Sequence, residues 1–498
     1  MTGLGEEIGL VRAVRLAGPG REYLIDDEPV DLLIIDGSIA DVAPTGVLST
    51  TGAVLDADGG WVVPGLWDNH VHTVQWALAA EREPLDDTAS AAEASARMGA
   101  VAPLADGRRV GTGFRDALWQ DRPTLAGLDA ATGDVPTYLI NADVHSVWLN
   151  SAALRREGMS TTDGVLREEG AFEISRRLNA VDPAHADRAV AQAGRLAAAR
   201  GVTGIVDFDM AWNADAWPRR LSSGFASHRV EFAVYPFDLA RAVAEGLRSG
   251  DVIEAVNIPV AARGLARVGP LKIISDGSLG TRTAACSHAY PGDPYNFGVV
   301  TVPREELVDL LTTATGAGLT AAVHAIGDRA ATAALDAFAL TGATGSIEHA
   351  QLVRHADLAR FARLGIVASV QPQHALDDRD LAARLWDSQD ALGYPLASLF
   401  QAGAEVRFGS DAPVAALDPW RAIAAAVTRT DDARQPWHPE ERVSFEQALG
   451  ASIRSVTTPG EVADLVICAS DPRVASGDDL RSMPVVTTLL AGRVTHIS

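Results

Sequence analysis

Eight short runs of β-branched and aliphatic residues recur along the middle of the chain. In order they are WVVPGLWDNHVH, VTGIVDFDM, VEFAVYPF, PLKIISDG, LTAAVHAIGD, TGSIEHAQ, IVASVQPQ and VRFGSDAP. From the second onward they alternate with Ala/Arg/Leu-rich stretches in helical spacing, such as DRAVAQAGRLAAARG and PREELVDLLTTATGAG. Strands that are apolar on both faces and alternate with helices predict a parallel sheet under an outer helical layer. Eight such units close most economically as a (β/α)8 TIM barrel, an α/β fold.

The ends of the chain carry a different pattern. LVRAVRLAG, DLLIIDGSIADVAP and AVLDADGGWVVPG read as short strands broken by Asp-Gly turns. Similar texture returns only in ADLVICASDP and VVTTLLAGRVTHIS. Residues 1–60 and 455–498 are therefore expected to build one small sheet domain from both termini. The barrel is then assigned to residues 61–74 and 186–454. About a hundred residues, 75–185, separate the first two barrel strands, which is too long for a simple crossover. This stretch predicts an inserted subdomain over the catalytic mouth.

Composition narrows the function classes. An apolar content of 47% allows a substantial core. The net charge of −23 argues against nucleic acid or an anionic membrane as partner, and solubility suffices to explain it. Cys286 and Cys468 are too few for a disulfide framework and wrongly spaced for a thiolate metal site. The start, MTGLGEEIGL, lacks the basic and apolar regions of a secretory signal, and no uncharged apolar run approaches a membrane span. A soluble cytoplasmic protein acting on a small molecule is the expectation.

Among the 42 basic residues only Lys272 is a lysine. Arginine serves everywhere else, so position 272 calls for something other than a plain cation. A desolvated lysine can lose its proton, whereas arginine cannot. A neutral amine can capture carbon dioxide and become a carbamate able to bridge two metal ions. Compositional drift is the competing explanation, and the lysine alone does not decide between them. The histidines do. His70 and His72 lie two apart at the end of the first strand run, where both imidazoles can face one cation. His324, His349 and Asp411 end the fifth, sixth and eighth runs. Singly, these could be a packed core histidine, a partner of Glu348 and a helix cap. Together they gather four imidazoles and two potential carboxylates at one barrel mouth, and without a metal each would need another partner.

The segments PGLWDNHVH, DVHSVWLNSAAL, KIISDGSLGTRTA, VHAIGDRA, IEHAQLVRHADLARFARLGIVASVQPQ, FGSDAP and PGEVADLVI resemble the amidohydrolase superfamily, and within it the YtcJ-like (amidohydrolase-3) group. The resemblance spans nearly the whole chain. It implies a barrel flanked by a composite β-sandwich, with one or two divalent metals, zinc being the usual one, and a homodimer. It also implies His70 and His72 on a first metal, carbamylated Lys272 as bridge, His324 and His349 on a second, and Asp411 as ligand and catalytic proton shuttle. Asp276 and Arg282 fall in the group's signature loop near the substrate, and His145 in a motif facing the site. His288 and His374 are further candidates to line the cavity. His185, His228, His355, His438 and His496 fall in surface or connecting segments. The short stretch between SAALRREGMS and EEGAFEI departs from typical members and implies a reshaped lid.

The function expected from this set is hydrolysis of a non-peptide carbon–nitrogen bond, in an N-acyl, N-formyl or cyclic amide. A one-metal deaminase would leave Lys272 unmodified and use an acid near His324, for which Asp328 is available. A scaffold that has lost its metals would show a broken ligand set, and this one is complete. Mixed histidine and carboxylate ligands suit zinc, manganese, iron and nickel in differing degree.

Overall fold

Each of the eight apolar runs contributes a strand to a single parallel sheet, the first only from Leu66 onward and not from residue 61, in the computed structural model, which describes residues 3–20, 27–253, 257–386 and 391–498. The strands are β1 (Leu66–Val71), β2 (Val202–Asp207), β3 (Arg229–Val234), β4 (Ala266–Ile274), β5 (Ala321–Ala325), β6 (Gly345–His349), β7 (Val367–Val370) and β8 (Val406–Phe408). They lie in sequence order, each parallel to the next. The ring shuts between β1 and the segment after β8. There the Asp411 amide donates to the His70 carbonyl at 2.7 Å and the His72 amide to the Ala412 carbonyl at 2.9 Å.

Helices cover the outside. Arg304–Ala317, Asp328–Thr341 and His355–Leu364 follow β4, β5 and β6, packing Leu311, Leu335 and Phe361 onto the barrel. Local chemistry sets their ends. Asp182 caps Pro183–Ala198 by accepting from the Ala184 and His185 amides, and Pro183 fits the first turn because it has no N–H to leave unpaired. Gly318 ends Arg304–Ala317 in the left-handed region at φ +80°, where a side chain would be strained.

Residues from both termini form a second sheet. Ile8–Leu16 pairs with Val30–Ile35 and Ala53–Asp56 through its first half, then with Trp61–Pro64, which continues into Leu465–Cys468, Val485–Leu490 and Arg493–Ile497. Ala13, at φ +55°, marks the switch of partners. The two halves enclose a core that includes Val11, Leu32, Ile39, Leu465 and Leu489.

The long insertion has a sheet of its own, ordered Val165–Arg167, Ser146–Leu149, Thr137–Asn141, Arg109–Phe114, Glu83–Pro84. Alternation covers both of its faces: Tyr138 and Ile140 pack with Ile174, while Leu139 packs with Met98 and Leu128. Among the described residues no helix is long and apolar enough to cross a membrane.

Candidate metal centre

Strand alternation aims Asp68, His70 and His72 into the barrel at the C-terminal end of β1. Asp68 accepts from the His70 and Ser410 amides at 3.1 and 2.9 Å, tying β1 to the loop that carries Asp411. Gly409 makes room for this approach, since a Cβ there would sit 2.7 Å from that of His70. Asp411 itself is held at φ +59°. One of its carboxylate oxygens lies 3.4 Å from His70 Nε2 and 3.3 Å from His72 Nε2. Donors sharing one tetrahedral cation at about 2.1 Å stand about 3.4 Å apart, so this trio fits a single divalent ion.

The donors are oriented from behind. Glu348 accepts from His70 Nδ1 at 2.6 Å and Gln371 from His349 Nδ1 at 2.9 Å, which fixes both rings and leaves His70 Nε2 facing Lys272 Nζ and Asp411. Plain alternation would face Glu348 and His349 to opposite sides. The left-handed backbone of His349 (φ +73°) and Ala350 (φ +42°) turns the imidazole back toward the cavity. Non-glycine residues with positive φ gather at functional sites, and here His349, Ala350, Asp411, Val144 and Glu168 do so. The barrel interior pays for this polarity: its apolar layer shrinks to Val206, Phe208, Ala233 and Ala322.

Lys272 is almost wholly buried, with Nζ 3.2 Å from His70 Nε2 and 4.3 Å above the Phe208 ring. Burial lowers its pKa to about 8, against the pull of Glu348 and Asp411. About a tenth of the amine is then neutral at pH 7. Burial, reinforced by the Lys272 charge, also drives His70 well below the usual imidazole range. His324 and His349 shift the same way for the same first cause. Neutral imidazoles are the form that binds metal. Burial pushes Asp411 up, but the hydrogen bond and charge of His72 outweigh it and hold the carboxylate below its ordinary range.

A second donor group departs from the expected one. His349, His374 and Asp411 offer ligand atoms within 4.8 Å of one another. His374 Nε2 is buried without a partner, and its ring lies parallel to that of His349 at 6.3 Å. His324 lines the same cavity but points Nε2 at the Gly277 carbonyl and Asp276, each 3.4 Å away.

Two expected substrate contacts need correction. Asp276 is fully buried and accepts from the Ala285, Ile326 and Gly327 amides at 2.8–3.0 Å, so it organises the signature loop instead of meeting substrate. Arg282 is exposed at the loop's left-handed corner (φ +58°) and lies outside the cavity lining, because that backbone turn carries its side chain away. His288 is likewise exposed. Asp328 spends its oxygens on the Ser287 amide and Arg354, so it is no acid for His324. His228 does sit in a connecting segment but is buried, and burial lowers its pKa to about 3.

Residues 53–496 match the Amidohydrolase family (Amidohydro_3). The chain belongs to this family. It is 24% identical over 490 residues to Putative amidohydrolase YtcJ of Bacillus subtilis (strain 168), covering 89% of this chain and 90% of that one. N-substituted formamide deformylase of Arthrobacter pascens is 25% identical over 520 residues, covering 93% and 94%. In fold, the chain superposes with a TM-score of 0.78 on an uncharacterized metal-dependent hydrolase from Pyrococcus horikoshii OT3, at 24% identity, over 94% of this chain and 99% of that chain. The barrel with its histidine and aspartate donors is thus that of an amidohydrolase, an enzyme fold able to hold metal.

In this amidohydrolase the insertion supplies one wall of the cavity. His145 lines it, 5.6 Å from the His324 ring, and Glu168 bonds His145 Nδ1 at 3.0 Å. Glu168 in turn accepts from Thr281 and Thr283, and Ser278 donates to Asp143, so the insertion is bound to the signature loop. Arg115 reaches Asp377 across the mouth at 3.3 Å. Burial disfavours a charged His145, but Glu168 outweighs it and raises the pKa. Replacing Glu168 with Gln removes that support, so the imidazolium is lost at a lower pH. Activity is expected to fall about tenfold, with the alkaline limb of kcat/KM moving toward lower pH. A pH–rate comparison checks both, and an unchanged limb would remove His145 from the titrating machinery.

Proposed function

We propose that this amidohydrolase hydrolyses the carbon–nitrogen bond of a small non-peptide amide, with an N-formyl or N-acyl amine or a cyclic amide as substrate. The observation that carries this reading is the spacing of His70, His72 and Asp411, which suits one cation, beside a lone buried lysine whose pKa is lowered to about 8. The activity named for the Arthrobacter pascens relative makes N-substituted formamides the first compounds to test.

In this reading His70, His72 and Asp411 would hold one divalent ion, and His349 would hold a second with His324 released from the Gly277 carbonyl, zinc being the expected metal. Lys272 joins them after its neutral amine attacks carbon dioxide, forming an N–C bond and releasing one proton. The bound metal supplies an acidified water at neutral pH and polarises the scissile carbonyl. Asp411 is a carboxylate at that pH and takes the proton from the attacking water, then delivers it to the departing nitrogen. Glu348 keeps the His70 ring fixed throughout, and His145 offers a hydrogen bond from the insertion wall.

The test is chelator-stripped protein reloaded with zinc, manganese, iron or nickel and offered N-substituted formamides, N-acyl amines and cyclic amides. Amine release is expected only after reloading, at about two metal equivalents per chain. Ammonia from amino-heterocycles with one equivalent would favour the deaminase instead. Full metal loading with no turnover of any amide would reject the proposal.

A further inference from the structure

Beside His349 and Gln351, which also line the mouth, lies a second cavity of about 20 Å³, close to the room one water-sized particle needs. Two buried side chains line it, each with one donor atom unbonded among the described residues. Arg429 is 1% exposed, forms no ion pair among the described residues, and leaves Nη2 unbonded. Its Nε is used on the Trp437 carbonyl. Gln371 is 3% exposed and leaves Nε2 unbonded, because its oxygen is committed to His349 Nδ1.

Glu441 and Glu440 offset part of this charge, but neither bonds Nη2. Glu441 spends its oxygens on the Ser398 amide and hydroxyl, and Glu440 bonds His438. Tyr394 also lines the cavity, but its hydroxyl hydrogen faces Asp378 and Gln351. The remaining wall is largely apolar, from Val370, Leu396 and Leu399, and no carboxylate among the described residues belongs to it. A buried guanidinium N–H lacking an acceptor is costly, and a buried amide N–H₂ lacking one adds to that cost. One negatively charged atom would answer both donors in the available space. Water meets the need less well, since it brings two hydrogens of its own to a wall that offers donors.

We propose that this cavity binds a single small monovalent anion of the halide class between the Arg429 guanidinium and the Gln371 carboxamide. The anion holds the Gln371 amide nitrogen away from His349, so that its oxygen stays on Nδ1 and the imidazole keeps its orientation. An ion buried beside the catalytic centre thereby helps to position one of its histidines.

Bromide is the probe. Crystals of the full chain soaked in sodium bromide should show an anomalous peak between Arg429 and Gln371. In solution, replacing gluconate by bromide at constant ionic strength should raise the melting temperature saturably, by about 1–2 °C. Both signals should vanish in Arg429→Gln. Gln371→Glu, which sets a carboxylate against the site, should expel the ion even if Arg429→Gln fails to fold. A wild-type crystal with bromide on its surface but only water in this cavity would overturn the proposal. So would an undiminished peak in either variant.

Discussion

Lys272→Arg is expected to lose turnover by several orders of magnitude and to bind less metal. Three features drive this. Guanidinium does not give up its proton in a protein, so no neutral nucleophile forms and no carboxylate can be built on the side chain. Lys272 is buried, so a permanent charge there faces the burial cost that lowers the lysine to about 8. Space is also short, with His70 Nε2 at 3.2 Å and Phe208 at 4.3 Å. Elemental analysis and kcat/KM check the result, with circular dichroism to confirm the fold. A folded variant with full metal and normal turnover would show that position 272 supplies no carboxylate.

Asp411→Asn is expected to lower kcat by about a thousandfold or more, with a much smaller effect on KM. The two side chains are nearly the same size, and the backbone bond from the Asp411 amide to His70 is untouched, so folding should survive. The amide has no basic oxygen to take a proton. Because His72 holds the wild-type carboxylate below its ordinary range, the base form persists into mildly acidic solution and is lost only as pH falls through that low pKa. The variant should therefore lack this acidic limb. Metal content separates the roles: normal loading with low kcat assigns proton transfer, whereas poor loading assigns ligation. A near-normal rate would take Asp411 off the proton path.

Much of the architecture was legible because period and composition speak directly to layers. Eight apolar runs spaced by helical stretches leave few alternatives to a closed parallel barrel, and the two-residue spacing of His70 and His72 survives as a shared face. The supporting residues were harder to see. Glu348 sits next to His349, and regular alternation separates neighbours; only the left-handed turn at His349 brings both into play. Glu168 and Arg115 belong to the insertion, whose docking on the mouth is a tertiary fact with no local signature. His374 begins a short helix after β7, so strand-end reasoning had no means to rank it. Conversely, Asp276 and Arg282 share a polar loop with the lysine, but burial and backbone direction send their side chains elsewhere.

The seam of the barrel has a last consequence. The amides and carbonyls that stitch β1 to the segment after β8 belong to His70, His72, Asp411 and Ala412. The first three of these side chains are the candidate ligands of one ion. Their spacing is therefore established by main-chain closure during folding, and an incoming cation has little ordering left to do. The join that closes the cylinder and the claw able to hold a metal are the same two stretches of backbone.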